Sequence, residues 1–295
     1  MSGPTRIARS VRLTGHGRSG ADGGDAYGRD AFGRDTTHPL KIDAVMLDLD
    51  GCVWFGSELA PRAAEVVAEI REAGLGVGFL TNISSGTTRM IADKLASLGI
   101  PTDDSDILMP IEALAGHPLL ATDPLVYVLG REEVARAVAE VAATTTDEDA
   151  ADLVVVGRDP DLHYSDLAAA VHVLNRGGKL LALNLDTRVP IEGGRVVPGN
   201  GAIAAALTAA TGVVAESVGK PARFFFDVAL ERFGFDRRTT LMVGDTLDSD
   251  IAGGAASGLV TVQVGGSRFS ARDPLPVPDH SLTELADLPA LLFST

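Results

Sequence analysis

The sequence predicts an α/β fold, a doubly wound parallel sheet with a further α/β domain inserted into it. Three observations predict this. Short apolar runs suited to strands buried on both faces alternate with segments of helical periodicity. Several of those runs end in carboxylates or in Thr-Asn, at the strand ends where doubly wound sheets gather their chemistry. The rhythm is broken over residues 113–218 by a stretch with its own strands and helices and resumes at residue 219, so one core is split by another.

Residues 1–38 carry an imperfect repeat, AYGRD and then AFGRD, with almost no aliphatic side chains, and are expected to form a disordered N-terminal arm. Six arginines against four aspartates give the arm +2, which leaves −17 on the rest of a chain whose net charge is −15. From Ile42 the run IDAVMLDLD reads as a buried strand ending in acids. Pro61 stands near the start of PRAAEVVAEIREAG, a helix with apolar residues at helical spacing and Gly74 as its C-terminal cap. GVGFLTN is a second strand and GTTRMIADKLASLGI a second helix, closed by Gly99 and Pro101. Strand, helix, strand, helix implies parallel pairing. VYVLG, DLVVVG, YSDLAAAVHVLNRGG, LLALNLD and NGAIAAALTAATG then supply enough strands and helices for a separate layer, an inserted domain over 113–218 with hinges near Pro110 and Gly219. The core resumes with helix PARFFFDVALERFGF, strand TTLMVGD, short helix SDIAGGAASG and strand LVTVQVGG, so 39–112 and 219–295 are read as one domain.

The 295 residues suffice for two buried cores, and 45% hydrophobic with 22% charged residues is ordinary for a soluble globular protein. No apolar stretch approaches the ~20 residues of a membrane-spanning helix, and the N-terminus lacks a secretory apolar core, so a cytoplasmic location is expected. The single cysteine, Cys52, excludes an intramolecular disulfide framework and a cysteine-rich zinc site; a small buried apolar role is expected for it. A net charge of −15 argues against nucleic-acid and anionic-membrane partners. A chain this acidic that binds phosphate must assemble positive potential locally, from a metal, a lysine and main-chain N–H groups.

Four polar features fall at the ends of the predicted core strands. In Asp48-Leu49-Asp50-Gly51, residues two apart on an ending strand share a face, so both carboxylates are expected in one crevice, with Gly51 allowing a sharp exit. Two such acids repel unless a cation intervenes, which implies a divalent metal, Mg²⁺ by its preference for hard oxygen ligands. Thr81-Asn82 offers a hydroxyl, an amide and following N–H groups to phosphate oxygens. Lys220, within Gly219-Lys220-Pro221, would offset negative charge that accumulates in a transition state. In Gly244-Asp245-Thr246-Leu247-Asp248-Ser249-Asp250, Asp245 is placed to ligate a metal and Asp250 to support the site, with Asp248 as a third acid. Each feature alone also reads as ordinary structure: an Asp-Gly turn, a helix cap, a surface lysine, and acids favoured at a helix N-terminus. Their agreement in position carries the functional reading.

In this order the motifs resemble those of the haloacid dehalogenase superfamily of phosphatases, and most closely its NagD-like branch. The cap segments DLVVVGRDPDLHYSDLAAAVHVLNRGG, ALNLD with Asn184 and Asp186, and VVPGNGAIAAAL are similar as well. The resemblance spans about residues 42–266. It implies a Rossmann-like core with a C2-type cap. It implies Asp48 as nucleophile and metal ligand, and Asp50 as general acid and then base that also gives the metal its main-chain carbonyl. Thr81, Asn82 and Lys220 would bind the phosphoryl group, and Asp245 would complete the Mg²⁺ site. The substrate would be a small phosphorylated metabolite such as a sugar, polyol, cyclitol or glycolate phosphate, and two copies would pair through the cap. Asn184, Asp186 and the loop around His163 would approach the leaving group, with His163 itself outside the site. A dehalogenase would need neither the metal nor Asp50; a phosphomutase and a non-catalytic regulatory member remain as alternatives on the same scaffold. TNISSG, with Ile83 and Gly86, departs from the branch's commoner pattern and leaves the loop less polar.

Overall fold

The computed structural model describes residues 11–13, 40–191, 195–265 and 274–293. Its elements in chain order begin with β1 (Val11–Leu13), β2 (Leu40–Ile42), β3 (Ala44–Asp48), β4 (Trp54–Phe55), β5 (Glu58–Leu59), α1 (Ala63–Glu72), β6 (Gly76–Leu80) and α2 (Thr88–Ser97). Next come β7 (Ile107–Leu108), α3 (Pro110–Ala113), β8 (Val126–Leu129), α4 (Glu132–Ala139), β9 (Thr144–Thr145), β10 (Leu153–Val156), α5 (Tyr164–Asn175) and β11 (Lys179–Ala182). The chain continues through β12 (Arg188–Ile191), β13 (Arg195–Pro198), α6 (Asn200–Thr211), β14 (Glu216–Ser217), α7 (Arg223–Phe233), β15 (Thr240–Gly244), α8 (Ala252–Ala256), β16 (Val260–Val264), β17 (His280–Leu282) and α9 (Leu288–Phe293). Two compact units divide it: Met1–Leu80, Arg89–Ile107 and Phe226–Thr295 in one, Thr81–Thr88 and Leu108–Phe225 in the other.

In the first unit six strands form a sheet in the order β17-β16-β15-β3-β6-β7. The pairings of β3 with β6 and β15, and of β16 with β15 and β17, are all parallel. From β3 the chain adds β6 on one side and β15 on the other, so the order reverses between β3 and β15, where a doubly wound sheet opens a crevice at its carboxyl edge. All five residues of β3 are buried because this strand is covered on both faces. Val45, Met46 and Leu47 are fully buried, each stabilising by about 1.5–3 kcal/mol, and this rigid strand ends in Asp48. Helix α1 buries Ala63, Val66, Val67 and Ile70, an i, i+3, i+4, i+7 stripe, and Gly74 beyond it has φ 81°.

In the second unit a parallel five-stranded sheet runs β14-β11-β10-β8-β9. Its apolar core joins Val154, Val156, Leu180 and Ala182 of the sheet to Val173 and Leu174 of α5 and Leu207 of α6. The β12–β13 hairpin is antiparallel.

One expectation is corrected. Within the segment read as a disordered arm, Val11–Leu13 pairs antiparallel with β2, and Leu13 is fully buried. Val-Arg-Leu alternates apolar, polar, apolar, the pattern a half-buried strand requires. The rest of that arm lies outside the described residues. Among the described residues no helix is long and apolar enough to cross a membrane.

Candidate active site

The acids of the first unit collect at the carboxyl ends of β3 and β15. Asp48 closes β3 and is 5% exposed. The chain then turns through Leu49–Trp54, with the N–H groups of Val53 and Trp54 donating to the Leu49 carbonyl at 2.9 and 3.0 Å. Gly51, at φ 91°, lets this turn pass beside Asp245: a Cβ there would lie 2.6 Å from Asp245 Oδ2. Asp245 follows β15, and a single π-helical turn, Leu247–Ile251, folds Asp250 back toward the same strand end. Asp250 is 1% exposed, and its Oδ2 accepts the Thr246 N–H at 3.1 Å. The Thr246 hydroxyl donates to Asp245 Oδ1 at 3.1 Å.

Asp48, Asp245 and Asp250 each bring a carboxylate oxygen within 4.8 Å of the others. At that separation two full charges repel by about 3.5 kcal/mol for an effective dielectric of ~20, a repulsion that a cation among the three would relieve. The donors are hard oxygens, and Gly51 and Gly244 leave space only for the carboxylates themselves, a set that fits a divalent metal.

Strand β3 ends at Asp48, and Asp50 stands in the turn that follows it. The carboxylate is exposed and accepts the Trp54 indole N–H at 2.9 Å. Trp54 in turn lies under the Lys94 ammonium, 3.6 Å from its ring centroid. Burial lowers the pKa of Lys94, and the Asp50 carboxylate opposes that shift. Asp250, expected in a supporting role, supplies the third carboxylate, and Asp248 stands outside the triad. Cys52 is buried, as expected for a small apolar residue.

The phosphate-motif residues lie in the second unit and form a network of their own. Thr81 is 1% exposed; its N–H donates to the Leu108 carbonyl at 3.2 Å and its Oγ1 accepts the Ile83 N–H at 3.0 Å, leaving the hydroxyl proton to donate. The Asn82 amide is engaged throughout. Its Nδ2 donates to Asp186 Oδ1 and Oδ2 at 3.2 and 3.1 Å and to the Lys220 carbonyl at 3.0 Å, while its Oδ1 accepts the Lys220 N–H at 2.9 Å. This amide therefore clamps the Lys220 main chain. Asn184 and Asp186 both bond Asn82: Asn184 Nδ2 donates to the Asn82 carbonyl at 2.6 Å, and Asp186 accepts from the Asn82 amide. Asn200 donates to Ser84 Oγ at 3.1 Å, which ties the same loop to the start of α6. Lys220 is 2% exposed. His163 caps α5 in a capping box with Asp166.

Sequence reading missed Trp54 and Lys94. One signal was available: Trp54 is the chain's only tryptophan, four residues past Asp50, and a buried indole N–H needs an acceptor.

The sequence model of the haloacid dehalogenase-like hydrolases matches residues 45–144, and a HAD-hydrolase-like model matches residues 217–288. The 5'-nucleotidase YutF of Bacillus subtilis is 34% identical over 246 residues, covering 82% of this chain and 95% of that protein. The p-nitrophenyl phosphatase from Archaeoglobus fulgidus superposes with a TM-score of 0.74 at 28% identity, covering 85% of this chain and 99% of that one. The glycerol phosphate phosphatase of Mycobacterium tuberculosis, solved in complex with calcium, gives a TM-score of 0.72 at 32% identity, over 83% of this chain and 74% of that one. With the acid triad at the switch of the sheet and these relatives spanning both units, the chain belongs to the haloacid dehalogenase superfamily, in its NagD-like branch of hydrolases acting on phosphoric monoesters.

Proposed function

We propose that this enzyme hydrolyses a small phosphorylated metabolite through a phospho-aspartate at Asp48, with Mg²⁺ as its cation. The observation that carries the reading is the cluster of Asp48, Asp245 and Asp250 at the ends of two adjacent parallel strands. Those three carboxylates, with the main-chain carbonyl of Asp50, would hold the ion. Bound there, it would neutralise the carboxylates and the charge that builds on the transferring phosphoryl group.

The residues then divide the work. An Asp48 oxygen attacks phosphorus, the bond from phosphorus to the substrate's ester oxygen breaks, and Asp50 gives its proton to that oxygen as the alcohol departs. Asp50, now a carboxylate, takes a proton from water; the water oxygen attacks phosphorus, the bond to Asp48 breaks, and inorganic phosphate leaves. The Thr81 hydroxyl and the Lys220 ammonium bind the phosphoryl oxygens, and Asn82 holds the Lys220 main chain in place. The relatives are named for a nucleotide, an aryl phosphate and a glycerol phosphate, which supports a small monoester as substrate. The calcium of the glycerol phosphate phosphatase supports a hard divalent cation.

Asp48→Asn tests the assignment. Hydrolysis of p-nitrophenyl phosphate should vanish while the circular dichroism spectrum is unchanged, and retained turnover refutes the nucleophile. Enzyme stripped by a chelator should be inactive and should recover with Mg²⁺; full activity after complete metal removal rules out the cation.

A further inference from the structure

We infer that Trp54 and Lys94 are positioning residues that hold the Asp50 carboxylate where it delivers and recovers its proton. This rests on the reading of Asp50 as the general acid and base. Trp54 is fully buried, yet its indole N–H reaches the exposed Asp50 carboxylate at 2.9 Å. The same residue closes the turn at the main chain: its N–H donates to the Leu49 carbonyl at 3.0 Å and its carbonyl accepts the Gly51 N–H at 2.8 Å. Backbone and side chain of one tryptophan therefore fix both ends of Asp50.

Trp54 is itself held by the β4–β5 hairpin and by α2. It pairs with Leu59 across the hairpin. Lys94 of α2 sets its ammonium 3.6 Å from the indole centroid and donates to the carbonyl of Gly56, in the hairpin turn, at 2.8 Å. One cation thus grips the ring face and the loop beyond it. A free, exposed carboxylate samples several rotamers, and misplacement of a reacting group by ~1 Å can lower a rate about 100-fold, so this anchoring has catalytic consequences.

The chemistry supplies a readout that mere loosening of the fold would not move. An alkoxide is a poor leaving group and needs the acid's proton, whereas 2,4-dinitrophenolate departs without it. The ratio kcat/KM reports the step in which Asp48 is phosphorylated, so a displaced acid lowers it selectively for alkyl phosphates. Trp54→Phe removes the donor and keeps an aromatic ring beneath Lys94. Its kcat/KM should fall about tenfold or more for glycerol 3-phosphate and less than about threefold for 2,4-dinitrophenyl phosphate. Lys94→Met should show the same selectivity, and Lys94→Arg, which keeps a cation over the ring, should restore the alkyl rate. Equal losses on both substrates, or no loss in either Trp54→Phe or Lys94→Met, would overturn the inference. Asp50→Asn separates the two levels. If it shows the alkyl-selective loss and Trp54→Phe does not, the positioning role alone fails; if Asp50→Asn shows no selectivity, the acid assignment fails and takes this inference with it.

Discussion

Replacing Gly244 by alanine should weaken metal binding without changing any ligand. Gly244 is the buried last residue of β15, and a Cβ there would lie 2.5 Å from Asp250 Oδ2 and 2.6 Å from Asp250 Cβ. To restore ordinary contact at 3.4 Å, the Asp250 carboxylate has to retreat by about 0.9 Å, the difference between 2.5 and 3.4. That displacement is several times the ~0.2 Å tolerance of a metal–ligand distance. Because Asp250 Cβ is as close as its carboxylate, rotation alone does not relieve the clash and the π turn must shift as well. Overpacking of this kind destabilises by about 1–3 kcal/mol. A metal site disturbed through its support loses about 10–100-fold in affinity, equivalent to roughly 1.4–2.7 kcal/mol of ligand-linked stability. The assay is denaturant unfolding with and without saturating Mg²⁺, together with the Mg²⁺ dependence of p-nitrophenyl phosphate hydrolysis. The variant should be less stable without metal, and its Mg²⁺ activation curve should shift to higher concentration by that factor. An unchanged activation midpoint would refute the claim that Asp250 belongs to the metal site.

Two further outcomes concern the second unit. Asn82→Ala should destabilise by about 1–3 kcal/mol, because it leaves the Lys220 N–H, the Lys220 carbonyl and Asp186 without the bonds the amide makes, and kcat/KM should fall with it. Lost activity at unchanged stability would instead make Asn82 a direct phosphate ligand. His117 is 4% exposed, packs its edge against Phe224 with ring centroids 5.1 Å apart, and has its pKa lowered by burial, with Glu216 opposing. The unfolded chain therefore takes up the proton more readily. The stability carried by neutral His117 is complete above about 6.5, the ordinary histidine value, and is lost as the pH falls below it toward the folded value. Between pH 7 and pH 5 the unfolding midpoint of His117→Gln should fall less than that of the wild type; parallel curves would exclude His117 as the responsive group.

Much of the core was legible because its signals are local. The run Ala44–Asp48 is short and apolar up to its closing acid, as a strand covered on both faces requires, and Ala63, Val66, Val67 and Ile70 are spaced along one helix face. The inserted α/β layer could be read for the same reason, since Leu153–Val156 is a continuous apolar run and Ala170, Val173 and Leu174 fall at i, i+3 and i+4 on one helix face. The short edges were not legible: β17 reads His-Ser-Leu and β9 Thr-Thr, too brief and polar to stand out from loops. Within the site, the residue types at the strand ends pointed to the chemistry, but the partnerships did not follow from spacing. Asp250 joins Asp48 and Asp245 because a π turn redirects it, which an i, i+4 count cannot foresee. The Asn82 amide is consumed by partners 104 and 138 residues away, and no local pattern encodes such contacts. Asp50 stands in the turn beyond β3, and its bond to the Trp54 indole was not encoded by strand alternation.

The central claim is that Asp48 carries the phosphoryl group between substrate and water. Rapid acid quench of the enzyme during turnover of p-nitrophenyl phosphate, followed by borohydride reduction, converts an aspartyl phosphate into homoserine, which peptide mass spectrometry can locate. Homoserine should appear at residue 48 and be absent without substrate; homoserine at another aspartate, or none during active turnover, would contradict the account.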